Sequence, residues 1–105
     1  MNEEIRYKLL KILEQNSNIS QRELSKELGV SLGKVNYCMK ALAEKGLVKA
    51  RNFKQNPRKK GYLYILTPKG IEEKAKVTSL FLKRKMLDLE VLKSEIEQIR
   101  SELNQ

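Results

Sequence analysis

The sequence predicts a mainly α-helical fold with one small β-hairpin, an α+β arrangement that ends in a long helix. Three observations predict it. Apolar residues recur with helical spacing in four segments, and three of these open on Ser20, Ser31 or Thr67, residue types that cap helices. Gly29 and Gly46 follow two of the segments, where a helix stops most easily. Two runs rich in β-branched and aromatic residues, "LVKARNF" (47–53) and "GYLYILT" (61–67), flank the loop "KQNPRKK".

The elements follow in order. Residues 3–15 place Ile5, Leu9, Ile12 and Leu13 on one stripe, with Glu3 and Glu4 in the first turn, where the helix dipole favours acids. "NSN" at 16–18 ends this helix. "SQRE" from Ser20 to Glu23 is a capping box, and the short helix behind it presents Leu24 and Leu28 before stopping at Gly29. Ser31 caps a third helix only two residues later, with Val35, Cys38, Met39 and Leu42 on one face; Gly46 ends it. In the hairpin, Tyr62 and Tyr64 alternate with Leu63 and Ile65, so the aromatics are expected to pack it onto the helices.

Thr67 followed by Pro68 opens the last helix, with proline at its first position. It runs to about residue 103, or about 50 Å. Its far half carries Leu82, Leu89, Leu92, Ile96, Ile99 and Leu103 on a heptad seam, interrupted by Lys85. A small body cannot cover such a seam, so a partner helix is the simplest occupant, and packing against the first helix the alternative. The expected division is a compact domain over residues 1–67 and a dimerisation helix over 68–105.

Charge narrows the function. The chain has 105 residues and a formal net charge of +9. Residues 1–70 hold 15 Lys/Arg against 6 Asp/Glu, whereas residues 71–105 hold seven of each. From Lys49 to Lys60 there are six basic residues and no acid. A localised positive field of this kind suits a polyanion, nucleic acid before an acidic membrane surface. Histidine is absent and Cys38 is the single cysteine, which excludes a His/Cys zinc site, a histidine acid–base pair and an intrachain disulfide. No phosphate-loop motif and no paired carboxylates in an apolar setting occur, so neither an enzyme nor a cofactor is expected. The first residues, "MNEEIRYK", lack a signal-peptide pattern, and the longest apolar run, "YLYIL", is too short for a membrane. A cytoplasmic location is expected.

Two helices joined by a tight glycine turn make a helix-turn-helix, whose second helix enters the major groove. Its outward positions are Leu32, Gly33, Lys34, Asn36, Tyr37 and Lys40. Asn36 suits bidentate bonding to adenine, Tyr37 a base or phosphate, and Lys34 and Lys40 phosphates or guanine. Ser31 and Gly33 let the helix N-terminus approach the DNA backbone. Lys49, Arg51, Lys54, Arg58, Lys59 and Lys60 are the expected backbone contacts of the hairpin, with Arg58 a candidate for the minor groove. Cys38, on the apolar face, reads as a small core residue rather than a redox sensor.

Over nearly its whole length the sequence resembles the MarR-type winged helix-turn-helix regulators of bacteria. The residues that carry the likeness are "SQRELSKELGVSLGKVNYCMKALAEKGLVKARNF" and "YLYILTPKGIEEKA". With "EIRYKLLK", the segments "SLGKVNYC" and "LTPKGIEEKA" are similar to the small exopolysaccharide-associated subgroup. The resemblance implies a homodimer on double-stranded, palindromic DNA, with the third helix reading bases and residues 47–67 forming the wing. It also implies control of exopolysaccharide biosynthesis genes. The chain is shorter than typical members and lacks their longer helical ends, so their aromatic-ligand pocket is not carried over and no effector is assigned. The competing expectation is an adaptor whose winged helix binds another protein.

Overall fold

The structure, a computed structural model, describes residues 2–50 and 64–104. Its elements are α1 (Glu3–Gln15), α2 (Gln21–Leu28), α3 (Leu32–Glu44), β1 (Val48–Ala50), β2 (Tyr64–Leu66) and α4 (Pro68–Leu103). Side-chain caps open all four helices. Asn2 Oδ1 accepts from Ile5 N at 2.8 Å, Ser20 Oγ from Glu23 N at 3.1 Å, Ser31 Oγ from Lys34 N at 3.1 Å, and Thr67 Oγ1 from Gly70 N at 3.0 Å. Each bond satisfies an N–H that the helix itself leaves open. The expected caps at Ser20, Ser31 and Thr67 are all used, and Asn2 is a fourth.

Left-handed glycines make the two turns that matter. Gly29 has φ +67° and Gly46 φ +74°, a region costly for residues with a Cβ. At Gly29 the α2–α3 turn is closed by Gly29 N and Val30 N, both donating to Ser25 O, while the Ser25 hydroxyl donates to Val30 O. The Gly46 turn swings the chain from α3 into β1.

The core forms where α1, α2, α3 and the hairpin base meet. Leu9, Leu10, Leu13, Ile19, Leu24, Val35, Cys38, Met39, Leu42, Leu47, Val48 and Val77 are buried, with Tyr64, Leu28 and Val30 partly buried against them. The α3 face is the one expected. On α1, however, Leu10 is fully buried although it lies off the predicted stripe. The reason is that α1 is covered on two sides, by the core helices and by α4.

β1 and β2 pair antiparallel, with Val48 opposite Leu66 and Ala50 opposite Tyr64. The two strands are shorter than the predicted runs as far as they are described; residues 51–63, which include Tyr62, lie outside the described residues.

α4 runs antiparallel to α1, since Glu3 pairs with Arg84 at 3.1 Å and Glu14 with Lys74 at 2.8 Å. Between these pairs the Tyr7 and Phe81 rings stack, centroids 4.7 Å apart and 16° from parallel. Arg6 adds an ion pair to Glu73 at 3.1 Å. Beyond Phe81 every described residue of α4 is exposed. The long axis of the molecule is accordingly 69 Å against 26 and 20 Å for the others.

Candidate nucleic-acid interface

α3 divides sharply along its axis. Val35, Cys38, Met39 and Leu42 are buried, which fixes the rotation of the helix against α1 and α2. That rotation turns Leu32, Gly33, Lys34, Tyr37 and Lys40 to the surface and leaves Asn36 half-buried at its edge. Tyr37 is 63% exposed and Leu32 43%, both high for apolar or aromatic side chains in a small domain. The Lys34 ammonium lies 5.9 Å from the Tyr37 ring centre, within cation–π range, so the two side chains share one patch.

The α3 N-terminus is open. Ser31 Oγ takes Lys34 N and Ser31 O takes Val35 N at 3.1 Å, which leaves the first backbone N–H groups of the helix facing outward. Gly33 sits among them. It has no positive φ, and a Cβ built there would meet only Ser31 Oγ at 4.0 Å. Neither backbone conformation nor packing requires glycine at this position. Its effect is to leave the helix end bare, as close approach of a phosphate requires.

The base of the hairpin is pinned to the start of α4. The Thr67 hydroxyl lies 2.6 Å from Gly46 O and 3.1 Å from Leu47 O, so its proton serves these adjacent carbonyls. Thr67 N donates to Leu47 O at 3.0 Å, and Lys69 Nζ to Lys45 O at 3.0 Å. Gly70 packs so closely here that a Cβ would fall 2.1 Å from Leu47 O. These contacts explain "TPKG" beyond its helix-start signal. They join the end of α3, the hairpin base and the start of α4. Sequence reasoning recognised the cap and the proline but missed the clamp. Gly70 was its available signal, a glycine inside a predicted helix with no turn to make.

Of the expected wing contacts, Lys49 is exposed on β1. Arg51, Lys54, Arg58, Lys59 and Lys60 lie outside the described residues. Cys38 is fully buried in the core. Among the described residues no group of three or more His, Cys, Asp or Glu could hold a metal, and no helix is long and apolar enough to cross a membrane. The seam residues Leu82, Leu89, Leu92, Ile96, Ile99 and Leu103 are all exposed along α4.

Comparison with known proteins agrees with this geometry. Residues 2–49 match the family described as winged helix-turn-helix DNA-binding. The HTH-type transcriptional regulator Ptr1 of Methanocaldococcus jannaschii is 38% identical over 80 residues, which cover 70% of this chain and 53% of that protein. The chain thus spans about half the length of this curated relative. Among solved structures, a Staphylococcus aureus MepR variant superposes with a TM-score of 0.61 at 22% identity, covering 94% of this chain and 72% of that one. S. aureus MarR, solved with salicylate and kanamycin, gives 0.57 at 20% identity, covering 80% and 54%. The chain is thus similar over residues 2–49 to the winged helix-turn-helix DNA-binding family, and it shares the fold of S. aureus MepR and MarR.

Proposed function

We propose that this chain is a sequence-specific regulator of transcription that binds double-stranded DNA as a homodimer. The observation that carries the reading is the α3 surface: a bare helix N-terminus at Gly33 beside a patch of Lys34, Tyr37 and Lys40 that the fold leaves unburied. In this reading Ser31, Leu32 and Gly33 approach the DNA backbone. Asn36 and Tyr37 read base edges, and Lys34 and Lys40 pair with phosphates or guanine. Lys49, Arg51, Lys54, Arg58, Lys59 and Lys60 supply backbone contacts from the wing. The far half of α4 joins two copies, so that each α3 meets one half-site of a palindrome. The likeness to the exopolysaccharide-associated subgroup favours exopolysaccharide biosynthesis genes as targets.

The test separates reading from grip. Asn36→Ala should change the preference among duplexes, with a loss of about 1–3 kcal/mol confined to the cognate site. Joint replacement of Arg58, Lys59 and Lys60 by Ala should weaken all duplexes alike and flatten the salt dependence. Equal weakening of every sequence by Asn36→Ala would remove it as a reader. Affinity and salt slope left unchanged by the triple variant would remove the wing contacts. Binding with no sequence preference in the unaltered protein would favour the adaptor instead.

A further inference from the structure

The seam on α4 divides into heptad positions. Leu82, Leu89, Ile96 and Leu103 take a; Lys85, Leu92 and Ile99 take d. The flanking positions then sort by sign. Asp88, Glu95 and Glu102 all fall at g, and Lys93 and Arg100 at e. Such a row of acids beside a row of bases, on a stretch (82–103) with five acids and five bases, is complementary to itself.

Direction follows from this sorting. In a parallel pair each g residue faces the e residue of the partner's next heptad. Asp88 then meets the partner's Lys93 and Glu95 the partner's Arg100, and the twofold axis repeats both contacts. An antiparallel pair sets g against g and e against e, so acids face acids and bases face bases. We propose that two copies of this chain join through a parallel coiled coil of the far halves of α4, in register, with the two DNA-binding domains at the same end.

The surroundings fit that occupant. Asp88, Glu95 and Glu102 form no ion pair with any described residue, although Glu3, Glu4, Glu14, Glu73, Glu90 and Glu97 pair within their own helix or across to its neighbour at 3.5 Å or less. Lys93 and Arg100 hold only exposed pairs at 3.5 Å, with Glu90 and Glu97 one turn back, weak enough to be shared. The one unfavourable position is Lys85, which would face the partner's Lys85. Its ammonium turns back over the Phe81 ring, 5.2 Å from the centre, toward α1 and away from the seam. The coil therefore begins where the cover provided by α1 stops.

This inference rests on the homodimer reading, and one experiment separates the two. Leu103→Cys, at the last a position of the full chain, is held in a glutathione redox buffer while its mass is followed by sedimentation. Cys38 is buried, and the unaltered chain serves as its control. A parallel pair brings the introduced thiols together, so nearly all of the dimer should become disulfide-linked. Antiparallel pairing over the same seam would leave them roughly 30 Å apart along the axis. A chain that sediments as a dimer but does not cross-link overturns the direction and leaves the dimer standing. An unaltered chain that sediments as a monomer overturns both. Lys93→Glu with Arg100→Glu supplies a second reading, because it turns attraction into repulsion only if g faces e; with e against e it merely exchanges facing bases for facing acids. It should then weaken dimerisation at least tenfold, and unchanged dimerisation contradicts the parallel register.

Discussion

The two halves of α4 share one helix, one cap and comparable apolar content, yet they meet different surroundings. The first half buries Gly70 and Val77, stacks Phe81 on Tyr7 and exchanges ion pairs with α1 through Glu73 and Lys74, and one further pair, Arg84 to Glu3, lies just past the boundary. The second half, from Leu82 onward, touches solvent throughout while carrying leucines and isoleucines every third or fourth residue. The first is part of a finished domain. In the proposed dimer the second is the interface, because a lone amphipathic helix of some twenty residues is marginal in water. Exposure, rather than apolar content, separates a core contact from a recognition surface here.

Four substitutions probe that contrast. The largest effect is expected for Gly70→Ala in the first half, where the added Cβ runs into Leu47 O, a backbone atom that cannot swing aside. A loss of about 3 kcal/mol or more should appear as a lower denaturation midpoint, and an unchanged midpoint would show that the clamp is loose. Phe81→Ala, half-buried, should cost about 2 kcal/mol of unfolding free energy by removing the Tyr7 stack. Leu92→Asp in the second half should behave in the opposite way. It should abolish dimerisation in sedimentation and reduce helical circular dichroism, yet leave the unfolding of the DNA-binding domain nearly intact. If it lowers the stability of the domain as much as Phe81→Ala does, the division between the halves is mistaken. Arg84→Ala removes an ion pair that is largely exposed on the arginine side, and should change stability by no more than about 0.5 kcal/mol.

Much of this was legible in the residues. Caps and stopping glycines located the helices, and the buried face of α3 followed from its period, since that helix packs on one side only. The α1 stripe was less complete because α1 packs on two sides, so Leu10 looked surplus to a one-faced pattern. Periodicity tells which residues are apolar together but not what covers them. For that reason the contact of α1 with the first half of α4 could be raised from sequence but not separated from dimer packing. The contact joins residues some 60–80 positions apart, as Lys74–Glu14 and Arg84–Glu3 show. The Thr67–Gly70 clamp was illegible for the same reason: it is made by carbonyls at 45–47, whose position depends on the Gly46 turn. At the candidate interface the outward residues of α3 were readable, and the structure adds that Gly33 is not required by the fold.

That last point allows the account to be tested without confusing binding with folding. Gly33→Ala should leave stability unchanged or raise it slightly, because alanine favours helix and the site has room. Duplex DNA selected from a random pool by the unaltered protein should carry two symmetric half-sites about one helical turn apart. On that DNA, affinity measured over a salt series should fall at least tenfold for Gly33→Ala at equal stability. A selection that enriches no sequence, or a Gly33→Ala protein that binds the selected duplex as tightly as the original, would contradict the assignment of α3 as the DNA-reading surface.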